Sequence, residues 1–227
     1  MVQIQTPHVD ARKREILHAA AKLFREKGFG PTGMREIAAA CGMTASNLYY
    51  YFASKDELLA FCQEVALVRL NALAESVRSQ ADWEPDVQLY ALVVGHVVCL
   101  NETFPGSLAH MQVEDLPTEW RARITAGRDE YECTWRSIVG EGLECGVFAE
   151  TDAKWATLAL LGAVNWTVKW YRPDGGAAPR VVGEQFARTL VRGLLRDPQS
   201  WEPPTLSDSW EFLGSTPLSE ESGESGS

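Results

Sequence analysis

Before residue 60 the apolar residues return at helical spacing again and again, and a glycine or a hydroxyl residue cuts each run short. Ile16, Leu17, Ala20, Leu23 and Phe24 recur as one stripe of an amphipathic helix spanning Asp10 to Lys27. Gly28 ends it, because glycine takes the left-handed conformation past a helix end without a Cβ clash. Met34, Ile37, Ala38 and Cys41 repeat at i, i+3, i+4 and i+7, which predicts a short second helix with Thr32 as its N-cap. Gly42 breaks that helix and Thr44 caps a third, in which Leu48, Tyr51 and Phe52 must face a core. Ser54 and Glu57 then form a Ser-x-x-Glu capping box that opens a fourth helix. Three short helices this tightly punctuated can bury their stripes only against one another.

The side chains left outside carry the chemistry. With Leu48, Tyr51 and Phe52 inward, Ser46, Asn47, Tyr49 and Tyr50 point away from the core. Adjacent exposed tyrosines are costly on a plain surface and useful against DNA, where their hydroxyls reach phosphate oxygens. An asparagine amide can pair bidentately with adenine in the major groove. Helix N-termini offer unpaired N–H groups to phosphate, and Lys55 lies in the first turn of the fourth helix. A three-helix bundle with no nucleic-acid role is the alternative that periodicity alone leaves open.

The stretch from Gly28 to Leu59 resembles the DNA-binding region of the TetR family of bacterial one-component regulators. The likeness rests on Gly28-Phe29, Thr32 before Met34-Arg35-Glu36-Ile37-Ala38, Gly42-Met43-Thr44, Leu48-Tyr49-Tyr50-Tyr51-Phe52 and Ser54-Lys55-Asp56-Glu57-Leu58-Leu59. It covers about the first quarter of the chain. The resemblance implies phosphate contacts from Thr32, Thr44, Tyr49, Tyr50 and Lys55, and base contacts from Arg35, Ala45, Ser46, Asn47 and Tyr50. Where Ala45-Ser46 stands, a Lys-Gly pair is common in the family; its absence shifts affinity toward Arg35 and the tyrosines.

Charge divides in the same way. Through Ala60 there are eight Lys and Arg against six Asp and Glu, whereas the whole chain carries −10. A basic head on an acidic body docks one way round, with binding that falls steeply with salt. No apolar run approaches the ~18 residues of a spanning helix, and no leader pattern opens the chain, so the expected location is the cytoplasm. Cys41, Cys62, Cys99, Cys133 and Cys145 form no CxxC pair and are expected as reduced, mostly buried thiols. His96 and Cys99 stand at i, i+3 without further ligands in view and read as core rather than metal site. With few histidines, no nucleophile–base pair and no phosphate-cradling glycine loop, the chain is not expected to be an enzyme.

Beyond the head the chain is expected to stay helical: Lys55–Gln80, Asp86–Phe104, Ser107–Val113, Thr118–Cys145, Asp152–Tyr171 and Pro179–Arg196. The architecture is therefore all-α. A helix-turn-helix domain covers 9–55, a helical effector-binding and dimerisation domain covers 56–196, and an acidic, disordered tail covers 197–227. Within that tail Trp201 or Trp210 could dock locally. The helix over 152–171 is apolar nearly all round and that over 179–196 has a broad apolar face, so a second copy is the economical cover. In the TetR family the last two long helices form a four-helix dimer interface, and these would match. The resulting homodimer would bind a near-palindromic double-stranded DNA operator.

No cofactor is implied, but a small hydrophobic effector is. Trp120, Tyr131, Trp135, Trp155, Trp166 and Trp170 are a heavy aromatic load that could line a chamber or simply fill the core and the dimer interface. Trp166, Lys169 and Trp170 share one face, with Arg172 just beyond. This segment resembles the C-terminal domain of TetR-family regulators of lipid, sterol and aromatic-acid catabolism that sense acyl-CoA thioesters. The resemblance implies rings stacking on the ligand and cations meeting phosphate, with Trp135 and Arg128 also at the site and Arg121 and Arg123 as weaker phosphate partners. The expected action is repression that the effector relieves through the fourth helix. A regulator answering a hydrophobic ligand without CoA, as for an efflux gene, and a helical interaction protein are the alternatives.

Overall fold

The computed structural model describes residues 10–103 and 116–206. The head consists of α1 (Ala11–Lys27), α2 (Met34–Ala40) and α3 (Ala45–Tyr51). The body follows with α4 (Lys55–Arg78), α5 (Pro85–Val98), α6 (Thr118–Glu144), α7 (Ala153–Asn165), α8 (Thr167–Trp170) and α9 (Pro179–Arg192). Among the described residues the only β-type pairing is one isolated bridge between Phe148 and Leu195, so the all-α expectation holds.

Local signals place most helix starts. Asp10 accepts from the Lys13 amide, Thr44 from the Asn47 amide at 3.2 Å, Ser54 from the Glu57 amide at 3.0 Å, and Asp152 from the Trp155 amide. The Glu57 carboxylate reaches back as a capping box does, but to the Ala53 amide, at 2.6 Å. Thr32 is not the cap of α2. That position belongs to Gly33, and the Thr32 hydroxyl donates instead to the Gly28 carbonyl at 2.7 Å.

Tertiary contacts break two helices that look continuous in the sequence. The helix expected over 86–104 is α-helical to Val98 and then widens into a π-helical turn, Cys99–Thr103. There the Asn101 amide donates to the Val97 carbonyl at 2.9 Å and to the Thr167 hydroxyl at 2.8 Å. Thr167 in turn donates to the Val164 carbonyl at 2.7 Å, and the helix expected over 152–171 splits at Trp166 into α7 and α8. The helix expected over 107–113 lies outside the described residues.

The head's core of Ile16, Leu17, Ala20, Phe24, Ile37, Leu48 and Phe52 continues along α4 through Leu58, Leu59, Cys62 and Val65, and takes in Ile124 of α6. The body's core is built around α5, whose buried residues include every position from Gln88 to Val98 and which packs closely on α9. A Cβ on Gly183 would stand 3.0 Å from the Val94 carbonyl, so glycine sets that helix spacing. Helices α4 and α6 run parallel, tied by Glu64–Arg123 at 2.6 Å and Gln63–Arg128 at 2.6 Å near one end, Asn71 to the Gly127 carbonyl at 3.3 Å, and Arg78–Glu141 at the other. Arg78 grips Glu141 with two bonds of 2.8 and 2.9 Å and holds the carboxyl below its ordinary pKa.

Two further expectations change. The disorder expected from residue 197 gives way at its start to the local docking expected of Trp201, which donates to Asp86 at 2.7 Å and packs on Tyr90, while Arg180 donates to the carbonyl of buried Leu206 at 3.2 Å. The rest of the tail, including Trp210, lies outside the described residues. Of the five free cysteines, Cys62 and Cys99 are buried, and burial pushes their thiols up to about 12, but Cys133 and Cys145 are exposed.

Where α6 turns into the bridge, a Cβ on Gly142 would fall 2.2 Å from the fully buried Phe148 ring. Gly142→Ala must therefore displace that ring and should cost about 1–3 kcal/mol of stability, read as a lower denaturant midpoint with unchanged slope.

Candidate nucleic-acid interface and effector cavity

Helix α3 presents its polar face as the sequence predicts. Leu48 is fully buried while Ser46, Asn47, Tyr49 and Tyr50 are exposed, Tyr50 at 85% and Tyr49 at 51%. Thr44 and Arg35 are exposed beside them, and Ala45 is half-buried. Because the Thr44 oxygen accepts the Asn47 amide, its hydroxyl proton points elsewhere and can be donated. Together these residues give one exposed, hydroxyl-rich surface.

Two residues expected on that surface do other work. Thr32 is 1% exposed and its hydroxyl is spent within the loop after α1. Lys55 turns back under the same loop, donating to the carbonyls of Phe29 at 2.7 Å, Thr32 at 2.9 Å and Gly30 at 3.2 Å. Its ammonium also sits 4.3 Å from the centre of the Phe29 ring. An ammonium has three N–H groups, and three carbonyls occupy them. Lys55 therefore clamps the α1–α2 loop to the start of α4 rather than offering a donor to phosphate.

In the body, α4, α5, α6 and α7 enclose a cavity of about 410 Å³. Apolar walls come from Ala66, Leu67 and Leu70 on α4 and from Leu158 and Leu161 on α7. One polar cluster joins His96, Tyr131 and Asn165: the histidine bonds the Tyr131 hydroxyl through Nδ1 and Asn165 Oδ1 through Nε2, both at 3.0 Å. Asn165 Oδ1 accepts, so Nε2 carries a proton and Nδ1 receives the Tyr131 proton. Burial pushes the Tyr131 phenol well above its ordinary pKa, so it stays a neutral donor. A second cluster joins Gln63 and Arg128, beside Glu132. At 1.5 Å per residue the α4 wall of Ala66, Leu67 and Leu70 extends roughly 10 Å from Gln63, while Arg128 and Tyr131 stand one turn apart on α6.

The expected effector residues divide around this cavity. Arg128 lines it. Trp135 does not: it is wholly buried behind the wall, edge-on to His96 and Tyr131. Trp166, Lys169, Trp170 and Arg172 are exposed on the outer surface, where Trp170 stacks on Phe186 of α9. Leu158 and Gly162, at i and i+4, line the cavity, and Trp166 follows one turn on as the C-cap of α7. Arg123 is paired with Glu64. Sequence reasoning left out Gln63 and Asn165 and read His96 as core. Their available signal was a polar residue on an otherwise apolar helical stripe, which also describes ordinary core polar residues.

Lys55→Met, which keeps the aliphatic stem and removes the donors, should lower the head's stability by about 2 kcal/mol. A thermal melt reads this without DNA; a residue serving only phosphate would leave the melt unchanged.

Residues 16–61 match the model for bacterial regulatory proteins of the tetR family, and residues 82–194 match a tetracyclin repressor-like C-terminal domain. The transcriptional repressor KstR2 of Rhodococcus jostii is 28% identical over 203 residues, covering 81% of this chain and 91% of its own. The solved structure of PfmR, a TetR-family regulator from Thermus thermophilus, is 35% identical over 80% of this chain and 99% of that one, with a TM-score of 0.69. AibR, solved in complex with isovaleryl coenzyme A and operator DNA, is 28% identical over 81% of this chain and 98% of that one, also with a TM-score of 0.69. With both halves matched in their expected order, this chain belongs to the TetR family of transcriptional regulators.

Proposed function

We infer that this protein is a homodimeric repressor whose operator binding is relieved by a hydrophobic effector, an acyl-CoA thioester, held in the α4–α7 cavity. The observation that carries the reading is the double use of α4. Its first turns belong to the head's core through Leu58, Leu59 and Cys62, and its next turns line the cavity through Ala66, Leu67 and Leu70. A ligand that moves the cavity wall must therefore move the head.

The DNA surface is α3 with its flanks. Tyr49, Tyr50 and Thr44 supply phosphate contacts, while Asn47, Arg35, Ala45 and Ser46 face the base edges. Thr32 and Lys55 shape the loop behind them. For the effector, the cavity takes the acyl group, while Trp166, Lys169, Trp170 and Arg172 suit the nucleotide end that must remain outside. AibR, of similar fold and captured with isovaleryl coenzyme A and DNA, supports the thioester as ligand class.

Dimerisation follows from the apolar groups that a single chain leaves open. Trp155 and Leu158 on α7 and Val181 on α9 are exposed apart from the residues given to the effector. A two-fold pairing there sets the two α3 helices to read half-sites about 34–36 Å apart. The effector then needs only a few kcal/mol of preference for the DNA-incompetent spacing to empty an operator.

Enrichment of sheared genomic DNA on the purified chain, followed by sequencing, is expected to recover a short near-palindrome. On that site Tyr49→Phe should weaken all DNA alike, and Asn47→Ala should relax preference at one base pair by about 1–3 kcal/mol. Recovery of no preferred sequence at any salt would overturn the repressor reading.

A further inference from the structure

Gln63 lines the cavity and is only 2% exposed. Its Oε1 accepts a 2.6 Å bond from Arg128 Nη2, which fixes the amide's orientation, since the reverse would set two donors against each other. The Nε2 group is buried and has no hydrogen-bond partner among the described residues, in a side chain that lines the cavity. A buried donor left unpaired carries its full desolvation penalty, and native proteins rarely retain one without use. The His96–Tyr131–Asn165 cluster differs, because its members bond one another.

We propose that Gln63 Nε2 is the donor that receives the carbonyl oxygen of the effector's thioester, making Gln63 the contact through which the ligand grips α4. This deepens the acyl-CoA reading and rests on it. Three observations fit a neutral carbonyl at this point. The donor is an uncharged amide, which suits a carbonyl dipole. The neighbouring groups carry both signs, Arg128 and Glu132, so no net field demands an ion. The apolar wall of Ala66, Leu67 and Leu70 runs on from Gln63 as an acyl group runs on from its carbonyl.

The position gives the bond a regulatory consequence. Gln63 follows Cys62, which is part of the head's core, so a new bond at its amide acts where head and cavity share the helix. Shape alone would fill the cavity; the carbonyl bond ties the ligand to this one helix.

The test separates the donor from the shape. Isovaleryl-, octanoyl- and cyclohexanecarbonyl-CoA would be titrated calorimetrically into the full chain, each beside the thioether in which a methylene replaces the carbonyl. The wild type is expected to bind its best thioester about tenfold more tightly than the matching thioether. In Gln63→Glu, isosteric and still able to accept from Arg128 but lacking the N–H, the preference should vanish while the cooperative melt is retained. Gln63→Met, which removes the donor without adding charge, should behave the same way if the first variant folds poorly. Equal binding of thioester and thioether by the wild type overturns this inference alone, as does a preference that survives both substitutions. A folded chain that binds none of the three thioesters overturns the acyl-CoA reading and this inference with it.

Discussion

Helix α4 is buried along most of its length, and on two different neighbours. Near its start Leu58, Leu59, Cys62 and Val65 complete the core made by the first three helices. Near its end Leu70, Leu73, Ala74 and Val77 belong to the core built around α5. Neither core is closed without it, so the helix cannot slide or tilt without disturbing both. Close-packed interiors respond to such a displacement by repacking rather than by stretching. The polar ties from α4 to α6, ending in the paired bonds between Arg78 and Glu141, hold the rod to another helix of the cavity wall.

Within this frame, polar groups are buried in two ways. The His96–Tyr131–Asn165 cluster is closed by its own hydrogen bonds and behaves as a structural part of the wall. Gln63 is half satisfied, with its oxygen on Arg128 and its amide nitrogen unpaired. The contrast is informative because both line one cavity. Lys55 shows the opposite economy, in that a cation placed where DNA contacts are expected spends all three donors on carbonyls of its own loop.

The head was largely legible because its determinants are local. Helix spacing, the caps at Thr44 and Ser54, and the inward set of Leu48 and Phe52 depend on residues within a few positions of one another. The clamp made by Lys55 is hidden for the complementary reason: its partners are carbonyls of a loop up to 26 residues away, whose direction no periodicity encodes. The split at Trp166 and the π-helical turn were equally hidden, since both centre on a bond between Asn101 and Thr167, 66 residues apart.

By itself the sequence determined an all-α chain with an outward-facing Asn47, Tyr49 and Tyr50, a basic head on an acidic body, and two terminal helices too apolar to stand alone. Each of these follows from side-chain periodicity or summed charge, which folding does not alter. Only the tertiary structure decided that four helices enclose a cavity, that Gln63 opens into it, and that Trp135 stands behind its wall while Trp166 stands outside. A cavity is a property of facing surfaces: residues from 63 to 165 meet around it, and no local pattern fixes which side of a buried helix turns toward empty space.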